Sequence, residues 1–410
     1  MALNYIWIGL FFIGTIVAII RLLLLGDVEA LPAMMDSTFE MSKMGFEMTI
    51  GLTGTLTLWM GILKIGEDSG LVKRLSQILC PILSKLFPDV PKNHPALGSI
   101  FMNVSANMLG LDNAATPCGL KAMKELQEIN PVKDTASNPM IMFLVLNTSG
   151  LTIIPVSIMA YRAKAGATDP TDVFIPLLLT TMCSTLVGLT IVSIYQRINL
   201  FKRTFFLLFL IIAALISSLF WALRGMDNTQ IQHFCRLLTS CLILGTLLLF
   251  IGSGCYKKLN VYDSFISGAK EGFNVAVSLI PYCVAILVAI GVFKASGALE
   301  LVQNGISYIV KGCGLNSDFV GAVPVALMKP LNGSGARGMM LEAMDTYGPD
   351  SFVGHLAGVL QGCTDTTFYI LSIYFGSVGI KKYRYAVKCG LLADIAGMIA
   401  AVFISYYFWG

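Results

Sequence analysis

Residues 94–117 read HPALGSIFMNVSANMLGLDNAATP, and residues 319–347 read FVGAVPVALMKPLNGSGARGMMLEAMDTY. Each opens on an apolar run, breaks at a cluster of glycine, asparagine and proline, and resumes as a second helical limb. A bilayer core about 30 Å thick takes about 20 helical residues to cross, whereas a limb of about twelve reaches only about 18 Å. Each stretch is therefore expected to enter and leave on one side, as a re-entrant hairpin over about 95–127 and about 319–347. Polar, glycine-rich backbone at that depth is tolerated only where protein or water surrounds it.

The rest of the chain agrees with a membrane setting. Of 410 residues, 56% are hydrophobic and only 13% charged, against about 25% charged in soluble domains. Apolar runs of about twenty residues, in place of short alternating strands, exclude a membrane β-barrel. The fold class expected is an all-α polytopic membrane protein. Full crossings are expected at 4–25, 45–66, 138–161, 173–195, 204–223, 236–256, 272–293, 352–375 and 384–408, about nine in all beside the two hairpins. The first apolar run lacks a basic leader and a small-residue cleavage site, so it reads as a retained crossing.

Several function classes drop out. The net charge of +4 is small and no basic tract is present, so nucleic acid is not an expected partner. Ten cysteines without a CxxC spacing read as small buried hydrophobes. Gly333-Ser334-Gly335-Ala336-Arg337-Gly338 fits GxGxxG, but without a preceding strand it carries no nucleotide meaning, and its glycines are expected to form the hairpin's tight turn. No Walker motif, paired-Asp, Ser/His or HExxH arrangement is present, so the chain is not expected to be an enzyme.

Two crossings are interrupted: 138–161 by Asn147-Thr148-Ser149-Gly150 and Pro155, and 352–375 by Gln361-Gly362-Cys363-Thr364-Asp365-Thr366-Thr367. The order hairpin, broken helix, closing helix thus occurs twice, and an odd number of crossings between the copies makes the second inverted. Units are expected at 1–44 (first crossing and loop), 45–200 (first repeat), 201–268 (linking crossings) and 269–410 (second repeat). Inverted repeats with broken helices at the midplane mark alternating-access carriers. Loops on the N-terminal side hold more than twice the Lys and Arg of the other side, which places the N-terminus in the cytoplasm and the C-terminus outside a bacterial inner (cytoplasmic) membrane.

The run His94 to Pro117, with Phe143-Leu144-Val145-Leu146-Asn147-Thr148-Ser149, resembles the spore maturation protein A family. Lys329-Pro330-Leu331-Asn332-Gly333-Ser334-Gly335, Tyr347-Gly348-Pro349-Asp350-Ser351 and Gln361 through Tyr369 resemble the spore maturation protein B family, with Lys329 where arginine and Cys363 where serine is expected. Together these cover nearly the whole chain, which resembles a natural fusion of the two. Both belong to the nucleoside-recognition or gate group, shared in outline with concentrative nucleoside transporters. The resemblance implies a transport-like fold and an association with spore-core dehydration.

The candidate site follows from cost: a charge at mid-depth needs a partner or water. Lys329, Asn332 and Ser334 at the second hairpin tip, with Gln361, Thr364, Asp365 and Thr366 at the helix break, are expected to converge on one cavity, joined by Asn107, Asn113 and Asn147 from the first repeat. Asp365 either pairs with Lys329 or acts on solute or a coupling proton. Glycine amides and half-helix N-termini favour an anionic solute. Asn103, Ser105, Asn107, Asn147 and Ser149 offer oxygens suited to Na⁺; plain interhelical hydrogen bonding is the other reading. Asp394 and Lys388 read as a packed pair, and His94 and His355 as capping or surface residues. The functional expectation is a Na⁺- or H⁺-coupled secondary transporter or exporter of a small nucleoside-like or amino-acid-like solute, compatible with a homo-oligomer. The alternative is a non-transporting scaffold that aids envelope or spore maturation.

Overall fold

The computed structural model describes residues 2–410 except 72, 75–76, 79–83, 92–93, 109–111, 154, 199–213, 215–217, 219–227, 313 and 315. Among the described residues the chain is helical, with no strand beyond a single bridge between Thr135 and Lys382. The expected crossing at 204–223 lies almost wholly outside the described residues.

Helix α1 (Ala2–Leu25) leads through a short turn at Gly26 into α2 (Ala30–Asp68). The segment 26–44, expected as a loop, is helical from Ala30. Its one helix breaker, Pro32, falls in the first turn, where the missing N–H would be unpaired anyway. Helices α3 (Pro95–Met108) and α4 (Asp112–Glu128) are the limbs of the first hairpin. The turn between them is tighter than the sequence suggests, because Asp112 to Pro117 already belong to α4. Next come α5 (Asn138–Thr148), α6 (Val156–Lys164), α7 (Phe174–Tyr195), α8 (Asn228–Tyr256), α9 (Val261–Ala295) and α10 (Ala298–Gly312).

The second hairpin is built from a 3₁₀ turn (Asp318–Ala322), α11 (Val323–Met328) and α12 (Gly333–Tyr347). Helices α13 (Phe352–Gly362), α14 (Thr367–Gly376) and α15 (Ala386–Trp409) complete the chain. The turn lies at residues 329–332, one step before the expected glycines. Gly333 to Gly338 are helical, and a Cβ on Gly333 would come within 2.9 Å of Thr366 Oγ1. Close approach, not turning, is what glycine serves there.

Among the described residues, three helices are long and apolar enough to cross a bilayer: Trp7–Leu25, Phe174–Tyr195 and Ala386–Trp409. Phe12, Leu23 and Leu24 of α1 and Phe403 of α15 stand exposed, a surface that hydrocarbon covers favourably and water does not. Helices α2 and α9 pack side by side at small residues: a Cβ on Gly268 would meet the Met60 carbonyl oxygen at 2.4 Å, and one on Gly272 that of Leu56 at 2.7 Å. Small residues let membrane helices approach this closely.

Two apolar cores divide the broken helices between them. One joins α3 and α4 to α5 and α14 through Ile100, Phe101, Met123, Phe143 and Phe375. The other joins the second hairpin to α6 and α13 through Tyr161, Met339, Met340 and Leu356. Each hairpin therefore rests on one limb of each broken helix. Helices α7 and α15 pack together beside them, with Ser184 Oγ donating to the Ala393 carbonyl at 3.0 Å.

Both interruptions have local causes. Helix α5 starts from an extended Ser137 with proline in its first turn and stops at Gly150, whose φ of +59° an L side chain rarely adopts. Pro155 then begins α6. The second break has no proline. Thr366 is extended, and its N–H donates to Asp365 Oδ1 at 2.7 Å, a local turn that competes with helix continuation. A Cβ on Gly150 would lie 3.0 Å from the backbone nitrogen of Asp365. Gly150→Ala should therefore cost about 1–3 kcal/mol and lower the thermal midpoint of the purified protein. Gly348→Ala, also at positive φ but with open space around it, should cost less.

Candidate functional site at the crossed helix breaks

The two breaks meet. The N–H of Asp365 donates to the carbonyl of Thr148 at 2.7 Å, so each interruption satisfies a group that the other leaves free. The hairpin tips dock on the same place. Ile153, just past the first break, donates its N–H to Met108 at the end of α3 at 2.8 Å. Phe368, just past the second, donates to Pro330 in the turn after α11 at 3.1 Å.

Side chains repeat the pattern. Asn107 Nδ2 of the first hairpin donates to Asn147 Oδ1 at 2.8 Å, and Gln361 Nε2 donates to the carbonyl of Gly333 at 3.3 Å. Asn103 is wholly buried and donates to the Ala115 carbonyl at 2.7 Å and to the Tyr374 hydroxyl at 3.2 Å. Tyr374 in turn donates to Asn147 Oδ1 at 3.3 Å, and its ring stacks on Phe143 with centroids 5.5 Å apart. Tyr374, which sequence reasoning missed, carries the second half of the chain into the amide cluster of the first.

Of the five residues expected to offer oxygens to Na⁺, Asn103, Asn107 and Asn147 come together. Ser105 stands two residues from both Asn103 and Asn107, so it projects from another side of α3; its buried Oγ has no hydrogen-bond partner. Ser149 Oγ bonds to Leu146 O instead, at 3.3 Å. The side chain of Asn113 lies outside the described residues.

The second hairpin brings its expected residues to its own break. Lys329 is 5% exposed, and Gln361, Thr364 and Thr366 are buried. Asn332 caps α12 by accepting from the Ser334 N–H at 3.3 Å, leaving its own Nδ2 unpartnered, and Gln361 Oε1 is likewise unpartnered. Asp365 is exposed although the chain on both sides of it is buried. The expected contact pair of Asp365 with Lys329 does not form: among the described residues no ion pair within 4.0 Å includes either, although Lys329 lies in the field of Asp365, Asp394 and Arg337. Asp365 is oriented by the Thr366 N–H, which holds its carboxylate at the break. Arg337 lies over the Tyr161 ring, 5.3 Å from its centroid.

Asp394 does not pair with Lys388 as expected; it is buried at α15 and accepts from the Thr367 hydroxyl at 2.7 Å. Position on the inner face of α15, invisible without the α7 contact, explains the difference.

Each outer end of the crossed helices is tied across the two halves. At one end Lys381 and Lys382 donate their N–H groups to the Asp134 carbonyl at 2.8 and 2.9 Å. At the other the buried guanidinium of Arg162 reaches the Pro349 carbonyl at 2.6 Å, Asp172 at 3.0 Å and Asp350 at 3.2 Å. His355, expected at a cap or surface, is buried with Nε2 2.6 Å from Asp172, its ring stacked on Trp409. The guanidinium bridges Asp172 and Asp350, and His355 joins through Asp172, so these residues form a clamp.

This architecture and its sequence place the chain in a known class of helical membrane protein: it belongs to the Gate family, described as nucleoside recognition, whose model matches residues 49–165 and 276–381. It is similar to spore maturation protein B of Bacillus subtilis (strain 168), 45% identical over 41% of this chain and 92% of that protein. It is also similar to spore maturation protein A of the same organism, 39% identical over 44% of this chain and 89% of that protein. The two relatives match different halves, as in a fusion of an A-like and a B-like unit. No solved structure matches.

Burial pushes the Asp350 carboxyl up, but hydrogen bonds from Thr168 and the Arg162 charge outweigh it and hold the group below the usual aspartate range. A depressed carboxylate contributes stability above its unfolded pKa, and loses it as pH falls through the folded value. Asp350→Asn should therefore unfold at a lower temperature than the parent at neutral pH. The gap should close below the ordinary aspartate range, about pH 4, in parallel thermal melts.

Proposed function

We propose that the chain is a secondary carrier of a small polar or anionic solute, working by alternating access between two inverted repeats. The observation that carries this reading is the matched docking of two hairpin tips on two crossed breaks: Met108 with Ile153, and Pro330 with Phe368. That correspondence, with each hairpin resting on one limb of each broken helix, is what two units related by a two-fold axis in the membrane plane would produce. The hairpins then enter from opposite faces, in a bacterial cytoplasmic membrane with the N-terminus inside. The repeats are taken as 45–200 and 269–410. The solute lies between Lys329, Asn332, Gln361, Asp365 and Thr366 on one side and Asn107 and Asn147 on the other, where Lys329 and the amides suit a carboxylate or a nucleoside-like hydrogen-bonding edge.

The test is flux into liposomes holding the full chain, with labelled uridine, glutamate and succinate as probes. One probe should enter, and Asp365→Asn should slow it at least about tenfold, equal to about 1.4 kcal/mol of barrier, with insertion unchanged. Adding Lys329→Met should not restore the rate, because the two side chains are not in contact. The scaffold reading wins if no probe moves and Asp365→Asn still replaces the A and B relatives in a Bacillus subtilis strain that lacks both.

A further inference from the structure

Two carboxylates are buried among the described residues, Glu342 and Asp394. Glu342 has Lys294 at 2.8 Å and the Thr346 hydroxyl at 2.8 Å. Asp394 has no cation within 4.0 Å. It is 0% exposed and sits eight residues into α15, about 12 Å along a bilayer-length helix at 1.5 Å per residue. From α14 the Thr367 hydroxyl donates to Oδ2 at 2.7 Å, while Oδ1 has no hydrogen-bond partner.

The other groups around it are few. Thr364 and Asp365 act on it from the break and Lys329 from the hairpin turn; Cys363, a buried thiol, lies on the same break. From α7, Ser184 is committed to the neighbouring Ala393 carbonyl. A wholly buried carboxylate stays ionised when two or three backbone N–H groups or an adjacent cation hold it; with only the neutral hydroxyls of Thr367 and Thr364 beside it, it takes up a proton instead.

We propose that Asp394 is a proton-binding site, protonated in this conformation and emptied when the second hairpin carries Lys329 toward it. On release the carboxyl O–H bond breaks, its electron pair stays on Asp394, and the proton passes to water that reaches the exposed Asp365. The Lys329 ammonium then balances the new carboxylate. When the hairpin withdraws, the carboxylate takes back a proton from water. This deepens the carrier reading by naming H⁺ as the coupling ion, and its coupling role rests on that reading.

The test is infrared spectroscopy of the full chain in lipid, following the C=O stretch of a protonated carboxylic acid. A band that shifts in D₂O should be present at neutral pH, persist in Asp365→Asn and vanish in Asp394→Asn. Thr367→Val, which removes the 2.7 Å donor to Oδ2, should move the band to higher frequency, and it decides the matter if Asp394→Asn fails to insert. Absence of such a band at neutral pH, or a band that neither variant alters, overturns the proposal. Failure of every flux probe together with full replacement of the relatives by Asp365→Asn, with the band intact, would instead defeat the carrier reading and leave the proton site standing.

Discussion

A hydrogen bond between two interrupted helices, from the Asp365 N–H to the Thr148 carbonyl, is the constraint around which the molecule is arranged. Backbone freed by a break in hydrocarbon costs several kcal/mol per unsatisfied group. Here each break lies where the other can serve it. That crossing fixes where the hairpin tips must end, and Met108 and Pro330 then accept from the residues that emerge beyond the two breaks. The glycine at 150 is a consequence of the same contact, since any side chain there would push Asp365 away.

The composition of the chain and the two short, punctuated apolar runs made the all-helical class and the two pairs of short helical limbs legible, and the polar clusters around Asn147 and Asp365 located the breaks. What failed were features set by partners distant in sequence. Gly333 to Gly338 look like a turn until Thr366 is seen to press against Gly333. Asp394 looks paired with Lys388 because the two share a helix, whereas burial against α14 gives it Thr367 instead. Arg162, Asp172, Asp350 and His355 carry no local motif that links them. Their clamp exists only because the loop after α6 and the loop before α13 arrive at one place.

The polar interior is unevenly satisfied, and the unevenness has a pattern. The amides of Asn103, Asn107 and Asn147 and the Tyr374 hydroxyl satisfy one another, which makes the first hairpin's side of the crossing a rigid block. On the second hairpin's side, Gln361 Oε1, Asn332 Nδ2 and Arg337 Nε lack partners. Buried polar groups without partners are the ones that a ligand, water or rearrangement satisfies. The second hairpin's side thus keeps polar groups open to a partner, while the first hairpin's side is satisfied within itself.

Because each hairpin core borrows one helix limb from the other half, neither half encloses its apolar residues alone: Phe375 belongs to the first hairpin's core and Tyr161 to the second's. Folding of the two halves is therefore an association, and joining them in a single chain turns it into an intramolecular event at high effective concentration. The fusion sets a one-to-one stoichiometry that no expression level can disturb. An unmatched half would have a pairing surface exposed to lipid and to other copies, so the covalent link acts as quality control as much as architecture.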